Sequence, residues 1–165
     1  MILRGKAHRF SDGISTDHIV PGRYFHLRSN MAELAKHVME DADPEFAAKV
    51  ENGDFVVAGS NCGLGSSREH AAVALKLAGI GAVLAQSFAR IFFRNAINVG
   101  LPALMVDTSR ISEGDVLEID LDRGQVRNLT NGEMLTFTPL PKVMQTILND
   151  GGLIAHIVKH GDFAF

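Results

Sequence analysis

From residue 55 to residue 106 the chain alternates short apolar runs with longer amphipathic stretches. Phe55-Val56-Val57-Ala58, Ala82-Val83-Leu84-Ala85 and Ala103-Leu104-Met105-Val106 read as buried strands. Residues 66–78 and 88–98 between them read as helices, the first stopped by Gly79. Strand and helix alternating in this way imply right-handed crossovers and a parallel sheet.

The flanks carry different patterns. Residues 2–10 read as a strand with mixed alternation, and residues 11–22 as a loop closed by Pro21-Gly22. Met31, Leu34, Ala35, Val38 and Met39 share one helical face over residues 31–40, and Pro44 suits the first position of a short helix reaching residue 50. After Asp107 come short strands at residues 116–119, 125–129 and 134–137. Asp122-Arg123-Gly124 and Asn131-Gly132-Glu133 separate them as hairpin turns, so this part is antiparallel. A helix over residues 141–150 follows, capped by Gly151. The expected fold is α/β: a parallel β/α core with an antiparallel β layer added, in one domain over residues 1–165.

Composition narrows the function classes. A net charge of −3 with interspersed signs gives no footprint for a nucleic-acid backbone. No apolar run is long enough to span a bilayer, and Met1-Ile2-Leu3-Arg4-Gly5-Lys6 lacks the apolar stretch of a signal peptide, so a cytoplasmic location is expected. The single cysteine, Cys62, makes no internal disulfide and cannot by itself hold an iron–sulfur cluster. With no cation beside it except Arg68, it reads as a buried, inert thiol. His8, His18, His26, His37, His156 and His160 are assigned to no metal.

Candidate chemistry concentrates in Gly63-Leu64-Gly65-Ser66-Ser67-Arg68-Glu69-His70, where two glycines run into a helix start. Glycine admits positive φ and close approach of a ligand, and the free N–H groups of a first helical turn favour an anion. Arg68 adds a planar fork suited to carboxylate. A P-loop would need a lysine before the Ser/Thr, and a dinucleotide fingerprint a third glycine where Arg68 stands. The same residues also fit helix-start chemistry alone: Ser66 and Glu69 make an S-x-x-E capping box, with Arg68 solvated and His70 a helix histidine. Spacing leaves both readings open.

Residues 63–71 resemble the signature of the mobile swivel domain of the aconitase superfamily. Three further segments agree in order: Ser15-Thr16-Asp17-His18-Ile19, Ser87-Phe88-Ala89-Arg90-Ile91-Phe92, and Asn95 with Gly100-Leu101-Pro102. The chain length resembles the separate small subunits of 3-isopropylmalate dehydratase and homoaconitase.

The resemblance implies a hydro-lyase subunit that removes and re-adds water on a branched hydroxy di- or tricarboxylate, with isopropylmalate in leucine biosynthesis as the first expectation. It implies a [4Fe–4S] cluster on a large partner subunit, not on this chain, and an isolated chain that is inactive. Ser66 matches the serine alkoxide that takes a carbon-bound proton, and Asp17 a second catalytic carboxylate. Ser67, Arg68 and Arg28 match groups that bind substrate carboxylates. Each unit by which the serine pKa falls needs about 1.4 kcal/mol of differential stabilisation, and a helix N-terminus with Arg68 is suited to supply it.

The segment Tyr24-Phe25-His26-Leu27-Arg28 differs from the Tyr-Leu-Arg loop of isopropylmalate isomerases by extra residues after Tyr24. Leu27 suits an apolar branch, while the insertion leaves homocitrate, dimethylmalate or another alkylmalate as alternatives. Arg90 and Asn95 read as packing residues. From a different class, a non-catalytic carboxylate- or phosphate-binding module remains as the rival.

Overall fold

The computed structural model describes residues 1–65 and 69–161. Its strands are β1 (Ile2–Arg9), β2 (Phe55–Val57), β3 (Ala82–Ala85), β4 (Ala103–Met105), β5 (Val116–Asp120), β6 (Gln125–Asn128) and β7 (Met134–Thr136). They form a single sheet in the order β4-β3-β2-β1-β5-β6-β7. β1 pairs parallel with β2 (Ala7 opposite Phe55) and antiparallel with β5 (Leu3 opposite Ile119). The antiparallel strands therefore join the parallel core through β1 in one continuous sheet.

Side chains alternate across the sheet and divide its core in two. Val56, Val83, Ala85 and Ala103 face the helical side. There they meet Leu34, Met39, Phe46, Ala71, Leu75, Phe92 and Ala96. These come from, or adjoin, α2 (Met31–Leu34), α3 (Phe46–Lys49), α4 (His70–Leu77) and α5 (Arg90–Asn98). Phe55, Val57, Ala82 and Leu84 face the other way, into a cluster with Ala7, Leu104, Leu117, Ile119, Val126 and Leu135. All seven strands contribute to that second cluster, so the sheet curls around it. Its edge strands β4 and β7 line a common cavity of about 600 Å³ through Met105, Val106, Thr136 and Phe137. Burial of each large apolar side chain contributes about 1.5–3 kcal/mol.

A buried hydrogen-bonded pair fastens β1 to the start of β2. Asp54 Oδ2 lies 2.7 Å from His8 Nε2, and the carboxylate also accepts from the N–H groups of Lys6 and Glu51. Burial pushes the Asp54 pKa up, but those hydrogen bonds outweigh it and hold the carboxyl below its ordinary value.

Several elements depart from the sequence expectation. The stretch 31–40 is not one helix. α2 ends at Leu34, a 3-10 turn covers Ala35–His37, and Met39 is buried with φ of 59°. The Met39 N–H donates to Ile19 O at 2.9 Å, a long-range tie that breaks the helix. The expected loop at residues 11–22 contains α1 (Thr16–Ile19), whose N-cap Ser15 and His18 bond reciprocally. A 3-10 helix follows at Gly22–Ser29. After α6 (Lys142–Asn149) stands α7 (Leu153–His160), a helix the sequence pattern did not mark.

Candidate functional site

The parallel strands end together, and three loops are laced at that end. The N–H of Gly13 donates to Ser60 O, that of Gly63 to Ile14 O, and that of Thr16 to Leu64 O at 2.9 Å. Cys62 N–H bonds Ser87 O, and Asn61 N–H bonds Ser87 Oγ at 2.8 Å. Asp12 Oδ1 accepts from the Ser60 N–H at 2.8 Å. Ligands of open α/β sheets bind outside these carboxyl ends.

Local sequence explains the loop's path. Gly63 has φ of 86°, and a side chain there would collide with the Phe92 ring. Asn61, at φ of 57°, is one of the non-glycine types that tolerate the left-handed region. Gly65, at φ of 107°, ends the described part of the loop, and α4 begins at His70. The expected Ser66, Ser67 and Arg68, and with them the Ser66 side of the capping box, lie outside the described residues.

Asp17 lies in the first turn of α1, exposed, one residue from the Thr16 amide that binds the glycine loop. Arg28 is exposed on the 3-10 helix, its guanidinium 4.6 Å over the Phe25 ring and its Nη1 donating to Phe25 O at 3.2 Å. The Phe25 ring stands edge-on to His70, centroids 6.1 Å apart. Arg28 therefore rests on a ring that touches the first residue of α4. Tyr24 anchors the segment by stacking on His37 at 3.9 Å and donating to Glu40 at 3.0 Å. The hydrogen bond from His37 leads in holding the Glu40 carboxyl below its usual range.

Other expectations sort as follows. Cys62 is 1% exposed, and burial pushes its thiol up to about 12, which makes it unreactive. Arg90 is exposed at the start of α5, where it and Arg94 border an apolar groove of about 460 Å³ with Phe88, Phe93, Met105 and Met144. Asp150, His156 and His160 come within 4.8 Å of one another. His156 and His160 stand one helical turn apart, a spacing visible in the sequence. Asp150 takes hydrogen bonds from both imidazoles and from the Lys159 ammonium at 3.0 Å, and the ammonium opposes a cation there. These contacts, His156 first, draw the Asp150 pKa far down.

Two polar atoms beside the glycine loop escaped the sequence reading. Thr16 Oγ1 and His70 Nδ1 are buried with no hydrogen-bond partner among the described residues. No helix among the described residues is long and apolar enough to cross a membrane.

Comparison with known proteins points one way. The aconitase C-terminal domain family matches residues 12–109, which include α1, Arg28 and the glycine loop. A 3-isopropylmalate dehydratase small subunit 2 of Archaeoglobus fulgidus is 62% identical over 98% of both chains. A methanogen homoaconitase small subunit of Methanothermobacter thermautotrophicus is 54% identical over 96% of this chain and 92% of its own. The crystal structure of a 3-isopropylmalate dehydratase of Methanocaldococcus jannaschii superposes with a TM-score of 0.94 at 44% identity, covering 98% of this chain and 96% of that one.

Proposed function

The chain belongs to the aconitase C-terminal domain family, and from that membership we propose that it is the small subunit of a 3-isopropylmalate dehydratase. It is a hydro-lyase subunit that acts with a large subunit. The observation that carries this reading is the glycine loop, laced at the carboxyl end of the parallel strands inside the family segment.

Ser66 is the base that takes the carbon-bound proton of the hydroxy acid. Asp17, on the adjoining turn, orients a charged partner in the site. Ser67 and Arg68 hold one substrate carboxylate, and Arg28 reaches the far end from its Phe25 platform. The residues of this chain do not fit an iron–sulfur cluster, because its one thiol is buried and held protonated. The cluster is therefore assigned to the large subunit. A base by itself does almost nothing, because removing a carbon-bound proton needs the negative charge that develops on the substrate to be stabilised, so the chain alone is inactive.

A homoaconitase-type subunit is the second reading. His26, exposed in the inserted part of the Arg28 segment, favours a more polar side group than isopropyl.

The test is anaerobic reconstitution with the large subunit, assayed on isopropylmalate and homocitrate. Isopropylmalate is the expected substrate, and turnover of homocitrate alone would select the second reading. Ser66→Ala is expected to lower kcat about 10²–10⁴-fold with assembly intact. Near-normal turnover by that variant removes Ser66 from the base role.

A further inference from the structure

The 3-10 helix that carries Arg28 runs for eight residues and has no fully buried residue and no side-chain cap at its start. Runs of that length are uncommon, because 3-10 hydrogen bonds are poorly aligned. Its place on the body therefore depends on side-chain anchors. Leu27 adds apolar packing against the core, which is non-directional.

The directed contacts meet at Tyr24. Its ring lies on that of His37, with centroids 3.9 Å apart and planes 12° from parallel. Its hydroxyl donates to Glu40 Oε1 at 3.0 Å, and Glu40 Oε2 lies 2.9 Å from His37 Nδ1. The Glu40 carboxyl is held ionised, by the His37 bond first, so it only accepts and His37 Nδ1 carries the hydrogen. Arg23 adds a cation 4.8 Å from the same tyrosine ring and is itself tied to Asp41 at 2.6 Å. Between His37 and Glu40 stand Val38 and Met39, both buried, and the Met39 N–H is bonded to Ile19 O. The anchor point is thus part of the rigid body.

Arg28, by contrast, has its hydrogen bond and its ring contact on Phe25, inside the segment. Where its guanidinium stands relative to the body is inherited from the anchor at Tyr24, four residues earlier. A planar fork recognises a carboxylate only in a narrow range of positions, so a small displacement of the segment is felt as lost binding.

We propose that His37 is a positioning residue for substrate binding: together with Glu40 it holds Tyr24, and through Tyr24 it sets where Arg28 meets the far carboxylate of the substrate. This rests on the reading of Arg28 as a carboxylate ligand. His37 itself touches no substrate.

The test is a double-mutant cycle in the reconstituted complex, on the hydroxy acid that the complex turns over. His37→Ala is expected to raise KM about tenfold with kcat little changed, the mark of lost ground-state binding. Tyr24→Phe keeps the stacked ring and loses one donor to Glu40, so a rise of about two- to threefold is expected. In an Arg28→Ala background, where KM is already raised, His37→Ala should change it by less than about twofold, because nothing is left to position. A purely structural role would lower the thermal midpoint of the free subunit and act equally in both backgrounds.

The same KM increase with and without Arg28 overturns the proposal, as does an unchanged KM in both His37→Ala and Tyr24→Phe. In either case a raised KM in Arg28→Ala leaves the reading of Arg28 standing. An unchanged KM in Arg28→Ala removes that residue from the substrate, and the role of His37 with it. If His37→Ala fails to assemble, Tyr24→Phe taken through the same cycle decides by the same criteria.

Discussion

The two halves of the sheet share β1 and one apolar cluster, but differ in what covers their other face. β2 and β3, in the parallel half, are buried at every position. In the antiparallel half burial alternates: in β6 Val126 and Asn128 are buried and Arg127 exposed, and in β7 only Leu135 is buried between exposed Met134 and Thr136. Helices cover the outer face of the parallel strands, whereas the outer face of the antiparallel strands meets water. A strand covered on both faces offers solvent only its ends, and that is where the glycine loop, α1 and the 3-10 helix of Arg28 gather. The antiparallel half supplies the second wall of the core and, among the described residues, none of the candidate chemistry.

Substitutions in the two halves test how far that contrast extends to stability. Asp54→Ala, which strands His8 in the interior of the parallel half, is expected to cost about 3–5 kcal/mol in urea unfolding. Because the folded Asp54 pKa is depressed, its stabilising effect is complete above the unfolded value of about 3.9 and fades as pH falls through the folded one. The gap between wild type and Asp54→Ala should accordingly narrow in acid, and a gap of constant size would mean that the Asp54 carboxyl is not held ionised by its hydrogen bonds. Gly63→Ala, strained at positive φ and blocked by Phe92, should cost about 1–3 kcal/mol by the same measurement. On the wet face of β7, Met134→Lys should stay within about 0.5 kcal/mol of wild type. A larger loss there would show that something covers the antiparallel half after all.

Legibility in the sequence divides along a different line, between local and long-range causes. β3 was placed to the residue, and the hairpin turns at 122–124 and 131–133 gave the antiparallel connections, because apolar runs and turn residues act within a few positions. The broken helix at residues 31–40 was not legible, since Met39 is set by a hydrogen bond to Ile19 on another element. α7 escaped because Leu153-Ile154-Ala155-His156-Ile157-Val158 is apolar nearly all round and follows two glycines, which mask a helical period. At the site, the motif match singled out Asp17, which follows the Thr16 amide that binds the glycine loop. The hydroxyl of Thr16, one residue earlier, attracted no notice: its burial exists only once residues 14–16 are laced to residues 63–65.

The curl of the sheet also bears on how the chain behaves in a crowded solution. An open sheet has two raw edges, each a template on which another polypeptide can grow into an aggregate. Here the edges β4 and β7 border the same open, concave surface, so a docking strand meets a curved margin with a second edge close by. The fold thereby gains some of the protection of a closed barrel while leaving the carboxyl ends of its parallel strands open.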